Sequence, residues 1–138
     1  MAKTTLVDQD ISAGESLVHA IDDHRIDVPS AFWYLYPELG EWRLMLGMPM
    51  VDKDGPSAAY QRIQSVARSV PGLSLFDISV VSPNDQVVQL LSKALQTGPG
   101  VSGIRFSANT IDGVFIPDAY IYRLIPRRHP IKRARSRA

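Results

Sequence analysis

Chemistry in this chain would have to come from three histidines, one polar strand bearing an arginine, and a glycine-rich connection. His19 and His24 are five residues apart, which on a helix turns them about 140° away from each other. A two-histidine metal face wants a spacing of three or four, and His129 lies far off near the C-terminus. No metal site and no cofactor are therefore expected. The chain has no cysteine, which removes disulfides, thiolate nucleophiles and Cys-ligated zinc or iron–sulfur centres together.

Ser102 sits in Gly100-Val101-Ser102-Gly103, which superficially suggests a nucleophile on a tight turn. A nucleophile elbow opens a helix, whereas this stretch leads into a strand pattern, so a plain connection is the simpler reading. The same glycines offer backbone N–H groups that could hold an anion. A phosphate loop needs a strand before it, a Gly-Lys-Ser/Thr within it and a helix after it, and none of these is present. No catalytic residue is assigned.

The polar strand is more informative. Arg105, Ser107 and Asn109 alternate with Ile104, Phe106 and Ala108, so the three polar side chains are expected on one face. Asp77 and Ser79 occupy a comparable parity in a strand over residues 73–81. If those strands are neighbours, Arg105 pairs with Asp77, giving a ligand site or a polar patch in an interface. An ordinary wet sheet face is the simpler alternative.

These residues need elements to place them. Residues 31–50 read as a β-hairpin, two aromatic and apolar runs around Pro37-Glu38-Leu39-Gly40. Even positions carry Phe32, Tyr34, Tyr36, Trp42, Leu44, Leu46, Met48 and Met50, which predicts one main core face. Trp33, Leu35 and Met45, with Val81, Phe115 and Ile121, then fall on the opposite parity and look surplus to that core. Such a surplus is expected to be covered by a helix of the same chain or by another protein.

A helix is expected over residues 8–26, with capping-box spacing at Ser12 and Glu15, and it ends before Pro29. A turn at residues 51–56 leads to a helix over 57–70 that buries Ala59, Ile63, Val66, Ala67 and Val70. After the strand at 73–81, Ser82-Pro83-Asn84-Asp85 starts a third helix reaching Gln96. It is expected to bury Val87, Leu90, Leu91, Ala94 and Leu95. A second hairpin turns at Asp112-Gly113, and Pro117 marks an edge or a bulge in its returning strand. The order α-β-β-α-β-α-β-β implies an α+β, two-layer domain with a mixed, mainly antiparallel sheet covered by helices.

Charge divides the chain. Residues 126–138 hold Arg127, Arg128, Lys132, Arg133, Arg135 and Arg137 with no acid, while residues 1–125 hold nine Lys or Arg against fourteen Asp or Glu. A single globular domain over 1–125 with a basic, disordered tail is the expected organisation. The tail's cations could neutralise nucleic-acid phosphates, although aromatics for base stacking are missing. With neither a leader-like apolar run nor a membrane-length stretch, the expectation is a soluble cytoplasmic protein without a membrane partner. The leading expectation is a non-enzymatic protein-interaction module, homo-oligomeric or bound to a protein partner through its sheet. A nucleic-acid-associated accessory protein working through the tail is the alternative. A small-ligand enzyme on the third and fourth strands is the second alternative.

Overall fold

Two hairpins joined side by side make the centre of the molecule, a computed structural model that describes residues 3–125. The first pairs β1 (Ser30–Tyr36) with β2 (Glu41–Gly47), and the second pairs β4 (Ile104–Ile111) with β5 (Val114–Leu124). β1 and β5 are antiparallel neighbours, and β3 (Ile78–Val81) adds to β2 in parallel, so the sheet order is β3-β2-β1-β5-β4. The helices are α1 (Asp8–Asp23), α2 (Pro49–Asp54), α3 (Pro56–Ala67) and α4 (Gln86–Ala94). This is an α+β domain on one mixed five-stranded sheet, 37% helix and 30% strand. No helix among the described residues is long and apolar enough to cross a membrane.

The first hairpin corrects the expected core. Four loop residues, 37–40, pair Phe32 with Met45 and Trp33 with Leu44, so even positions of β1 share a face with odd positions of β2. The aromatic and apolar residues therefore divide between both faces. Trp33, Trp42, Leu44 and Leu46 pack with Leu17, Val18 and Ile21 of α1 and with Ala59, Ile63 and Val66 of α3. Phe32, Tyr34, Met45 and Ile121 pack with Val88 and Leu91 of α4 on the other side. Trp33, Met45 and Ile121 are each fully buried within this chain, so none of them is surplus.

Local chemistry explains the other departures. Pro49 at the first helical position and Asp52 in the first turn make α2 a short helix where a strand end and a turn were expected. Residues 73–81 are not one strand: Ser74 caps a single 3-10 turn at Leu75–Asp77, its hydroxyl accepting from Phe76 N at 3.2 Å. Phe76 consequently points away from the core, 83% exposed. α1 begins at Asp8, where Asp10 accepts from Val7 N at 3.0 Å, so Ser12 is interior. In α4 it is Asp85, not Ser82, that caps, accepting from Val87 N at 2.9 Å. Its buried apolar residues are Val88 and Leu91, while Val87, Leu90 and Leu95 are only partly buried and Ala94 is exposed.

β5 changes parity twice. A register shift against Ala31 and Phe32 places both Tyr122 and Arg123 towards α1. The Tyr122 hydroxyl donates to Ile11 O at 2.6 Å and accepts from Trp33 Nε1 at 3.1 Å, while burial pushes its pKa above the ordinary phenol value. A Cβ at Gly14 would run into that hydroxyl, so α1 can approach only with glycine there. Arg123, 5% exposed, is fastened to Asp22 at 2.6 Å and to Val28 O at 3.2 Å. The second change lies at Ala108 (φ +49°), opposite the N–H-less Pro117, and brings Ile111 and Ile116 into the α4-side core with Ile121.

Candidate functional site

The polar strand of the sequence is β4, an edge of the sheet. Arg105 and Ser107 lie together on its α1-side face and converge on a carboxylate, but that carboxylate is Asp118 of β5. Arg105 Nε donates to Asp118 Oδ1 at 2.7 Å and its Nη2 to Oδ2 at 2.6 Å, a two-pronged pair, and Ser107 Oγ donates to Oδ1 at 2.7 Å. The Arg105 guanidinium also stands 5.6 Å from the Trp42 ring centre, within cation–π range. Arg105 holds the Asp118 carboxyl below the usual carboxylate range against the opposing effect of burial, with Ser107 assisting. The same hydrogen bond raises the Arg105 guanidinium further.

The other expected members are elsewhere. Asn109 lies beyond the parity change at Ala108, on the residue alternation of Ile111, and donates only to Ser107 O at 3.5 Å. Asp77 ends the 3-10 turn before β3, at the opposite edge of the sheet from Arg105, and its neighbour is Lys3 at 3.5 Å. Lys3 also donates to Asp10 at 2.9 Å and stands 5.9 Å from the Trp33 ring centre. Burial alone would lower the Lys3 ammonium, but Asp10 and Asp77 outweigh it and raise it. Arg105 and Asp77 thus serve separate ion pairs. Trp33 and Met45 are interior on opposite faces of the sheet.

The histidines also stay apart, His19 lying 3.7 Å from Glu15 and His24 bonded to Ala20 O at 2.8 Å. Thr97 and Ser102 return the connection to β5, their N–H groups donating to Leu124 O at 2.9 Å and Tyr122 O at 2.7 Å. Residues 126–138, with Arg127, Arg128, Lys132, Arg133, Arg135 and Arg137, lie outside the described residues, as does His129.

A different surface emerges from the topology. Both hairpin turns, residues 37–40 and 112–113, lie at one end of the sheet, because β1 and β4 both run towards it. β3 starts at that end, since it is parallel to β2. The exposed Leu39, Leu75, Phe76, Val114 and Phe115 are all in these turns or beside them. They are five of the seven large exposed hydrophobic residues among those described, Val7 and Tyr60 being the others. Alternation could not reveal the group, because its members come from three turns whose adjacency depends on strand order.

The two sheet edges differ in finish. Met48 N donates to Val81 O at 2.9 Å, so alternation along the strand turns the main chain of Ile78 and Val80 away from β2. The Tyr60 hydroxyl of α3 meets both of them, donating to Ile78 O at 3.3 Å and accepting from Val80 N at 3.1 Å. Arg43 Nη2 adds a second bond to Ile78 O at 3.0 Å. At β4 the outer side faces no further strand among the described residues. Comparison with protein-family models, with curated proteins and with solved structures returns no match.

Proposed function

We propose that this chain is a protein-interaction module whose docking surface is the turn-bearing end of the sheet. The observation that supports the reading is the gathering of Leu39, Leu75, Phe76, Val114 and Phe115 at that end, with Phe76 83% and Phe115 55% exposed. Scattered exposed apolar residues are ordinary on a protein surface, whereas their concentration at one end characterises contact surfaces. Both faces of the central strands β1 and β2, in contrast, are covered by this chain's own helices. The partner suited to such an end presents apolar side chains to it, and the polar Arg105–Asp118–Ser107 cluster serves as rim.

A double variant, Phe76→Ser with Phe115→Ser, tests the reading. Both side chains are largely exposed, so stability should stay within about 0.5 kcal/mol of the wild type. Partner capture by an affinity-tagged wild type, identified by mass spectrometry, should be abolished by the double variant. A stable, folded variant that captures the same partner undiminished would overturn the assignment of this end.

The six cations of residues 126–138 support a second reading, a nucleic-acid-associated accessory protein. Ile125 N donates to Pro29 O at 3.0 Å, so the chain leaves the sheet at the end opposite the apolar residues. The two surfaces can thus be tested separately. Deleting residues 126–138 should remove any salt-sensitive binding of duplex or single strands and leave partner capture intact.

A further inference from the structure

The two edges differ in a way that specifies how the sheet could be extended. A head-to-tail array would join the β4 edge of one molecule to the β3 edge of the next, and repetition would give an open filament. Tyr60 occupies Ile78 O and Val80 N on the outer side of β3, which obstructs that half of the joint. Between copies of this chain, the β4 edge can then be completed only by a second β4. We infer that two copies of this chain associate through β4, antiparallel about a two-fold axis at Phe106, to form one continuous ten-stranded sheet.

The sequence of β4 suits that register. Edge strands of monomeric proteins usually carry lysines or prolines that resist pairing, and β4 has neither. Its single charge, Arg105, is already neutralised by Asp118, so two copies of the strand do not repel. Pairing about Phe106 sets Phe106 against its counterpart on the α4 side, an aromatic cross-strand pair. On the α1 side it sets Arg105 opposite the second copy's Ser107, which is the cross-strand neighbour of Asp118. Each guanidinium, 48% exposed and with further N–H groups to donate, then faces the carboxylate cluster of the other molecule. Ala108, in left-handed conformation, limits the regular pairing to residues 104–108. A joint this short matches a dimer in reversible equilibrium at micromolar concentration, not an obligate one. The inference is independent of the apolar end, which lies along the strand direction and not across it.

The absence of cysteine supplies the test, because one introduced thiol reports on one position. Sedimentation equilibrium of the wild-type full chain should show monomer passing to dimer as concentration rises, without higher species. Hydrogen exchange at a dilute and a concentrated condition should show added protection in residues 104–108 only at high concentration, with β3 unchanged. Phe106→Cys, after circular dichroism confirms its fold, should form a disulfide dimer on mild oxidation, since two-fold pairing puts the residue against itself. Ser65→Cys on exposed α3 is the collisional control. A monomer at every concentration would overturn the inference. So would a dimer whose β4 exchange is unaltered, whatever the outcome for Phe106→Cys, because wild-type exchange does not depend on the variant folding.

Discussion

β3 and β4 are both terminal strands of one sheet, yet they are finished in opposite ways. β3 has four residues, with Ile78 and Val80 buried, and a tyrosine and an arginine bonded to its main chain. β4 has eight, a kink at Ala108, and an ion pair on its α1-side face. The stability of β3 resides in its side chains and in the hydroxyl that closes it. The exposed polar residues of β4 contribute less to stability, and its main chain is left available. An edge that is expensive to disturb is thus paired with an edge that is cheap to modify, which is the arrangement expected where one edge is structural and the other works in recognition.

The largest expected effect tests this asymmetry in the core. Ile78→Ala, at 2% exposure, should cost about 2–5 kcal/mol, the usual range for truncating a buried aliphatic residue. Ile104→Ala, at a half-buried position of the other edge, should cost about 1 kcal/mol. Urea melts giving equal losses would mean that the two edges are held alike.

Removing the closing hydroxyl should have the next largest effect. Tyr60→Phe gives Val80 N to solvent, leaves Ile78 O to Arg43 alone, and should cost about 1 kcal/mol in a urea melt. The variant should also gain a second association site, seen as species larger than a dimer on sedimentation. If only monomer and dimer persist, the hydroxyl is not what closes this edge.

On the β4 side, Asp118→Asn should cost about 0.5–1 kcal/mol at neutral pH, since the pair is partly exposed and screened. The folded carboxyl titrates below its unfolded value, chiefly through Arg105. Its contribution is therefore present above the unfolded carboxylate range and is lost as pH falls through the folded value. Melts below about pH 4 should bring wild type and variant together. A difference that widens on acidification would contradict the ion pair as the source.

Smallest of all, Ala108→Gly should stabilise by about 0.5 kcal/mol, because relief of the left-handed alanine exceeds the added chain entropy of glycine. A loss instead would show that the alanine methyl contributes packing at the kink.

Much of this architecture was legible in the residues. The α3 stripe of Ala59, Ile63, Val66 and Ala67 is buried as its spacing indicates, and Asp112-Gly113 turns the second hairpin. The facing of the first hairpin was not legible, because it depends on whether the loop holds an odd or even number of residues. The four found here exchange the parities, and Trp33 and Met45 go to opposite cores. Asp118 could not be matched to Arg105 without the β4–β5 register, and the Arg105–Asp77 pair required a strand adjacency that periodicity does not encode. Tyr60 read as one more residue on a helix; its role follows from where α3 crosses β3.

The seam between β1 and β5 also governs the order in which a growing chain can complete this fold. β1 is central in the finished sheet, but its neighbour on one side is the last strand. On a ribosome, β1, β2, β3 and the first three helices emerge while the flank of β1 that will receive β5 is still bare, with Phe32 and Tyr34 short of their final cover. Translation of some thirty further residues separates that moment from the arrival of β5. The nascent domain thus passes through an interval with an unpaired aromatic strand at its border, the kind of species that aggregates or engages chaperones. Slowed elongation between β3 and β5 would lengthen that exposure without altering a single contact of the finished protein.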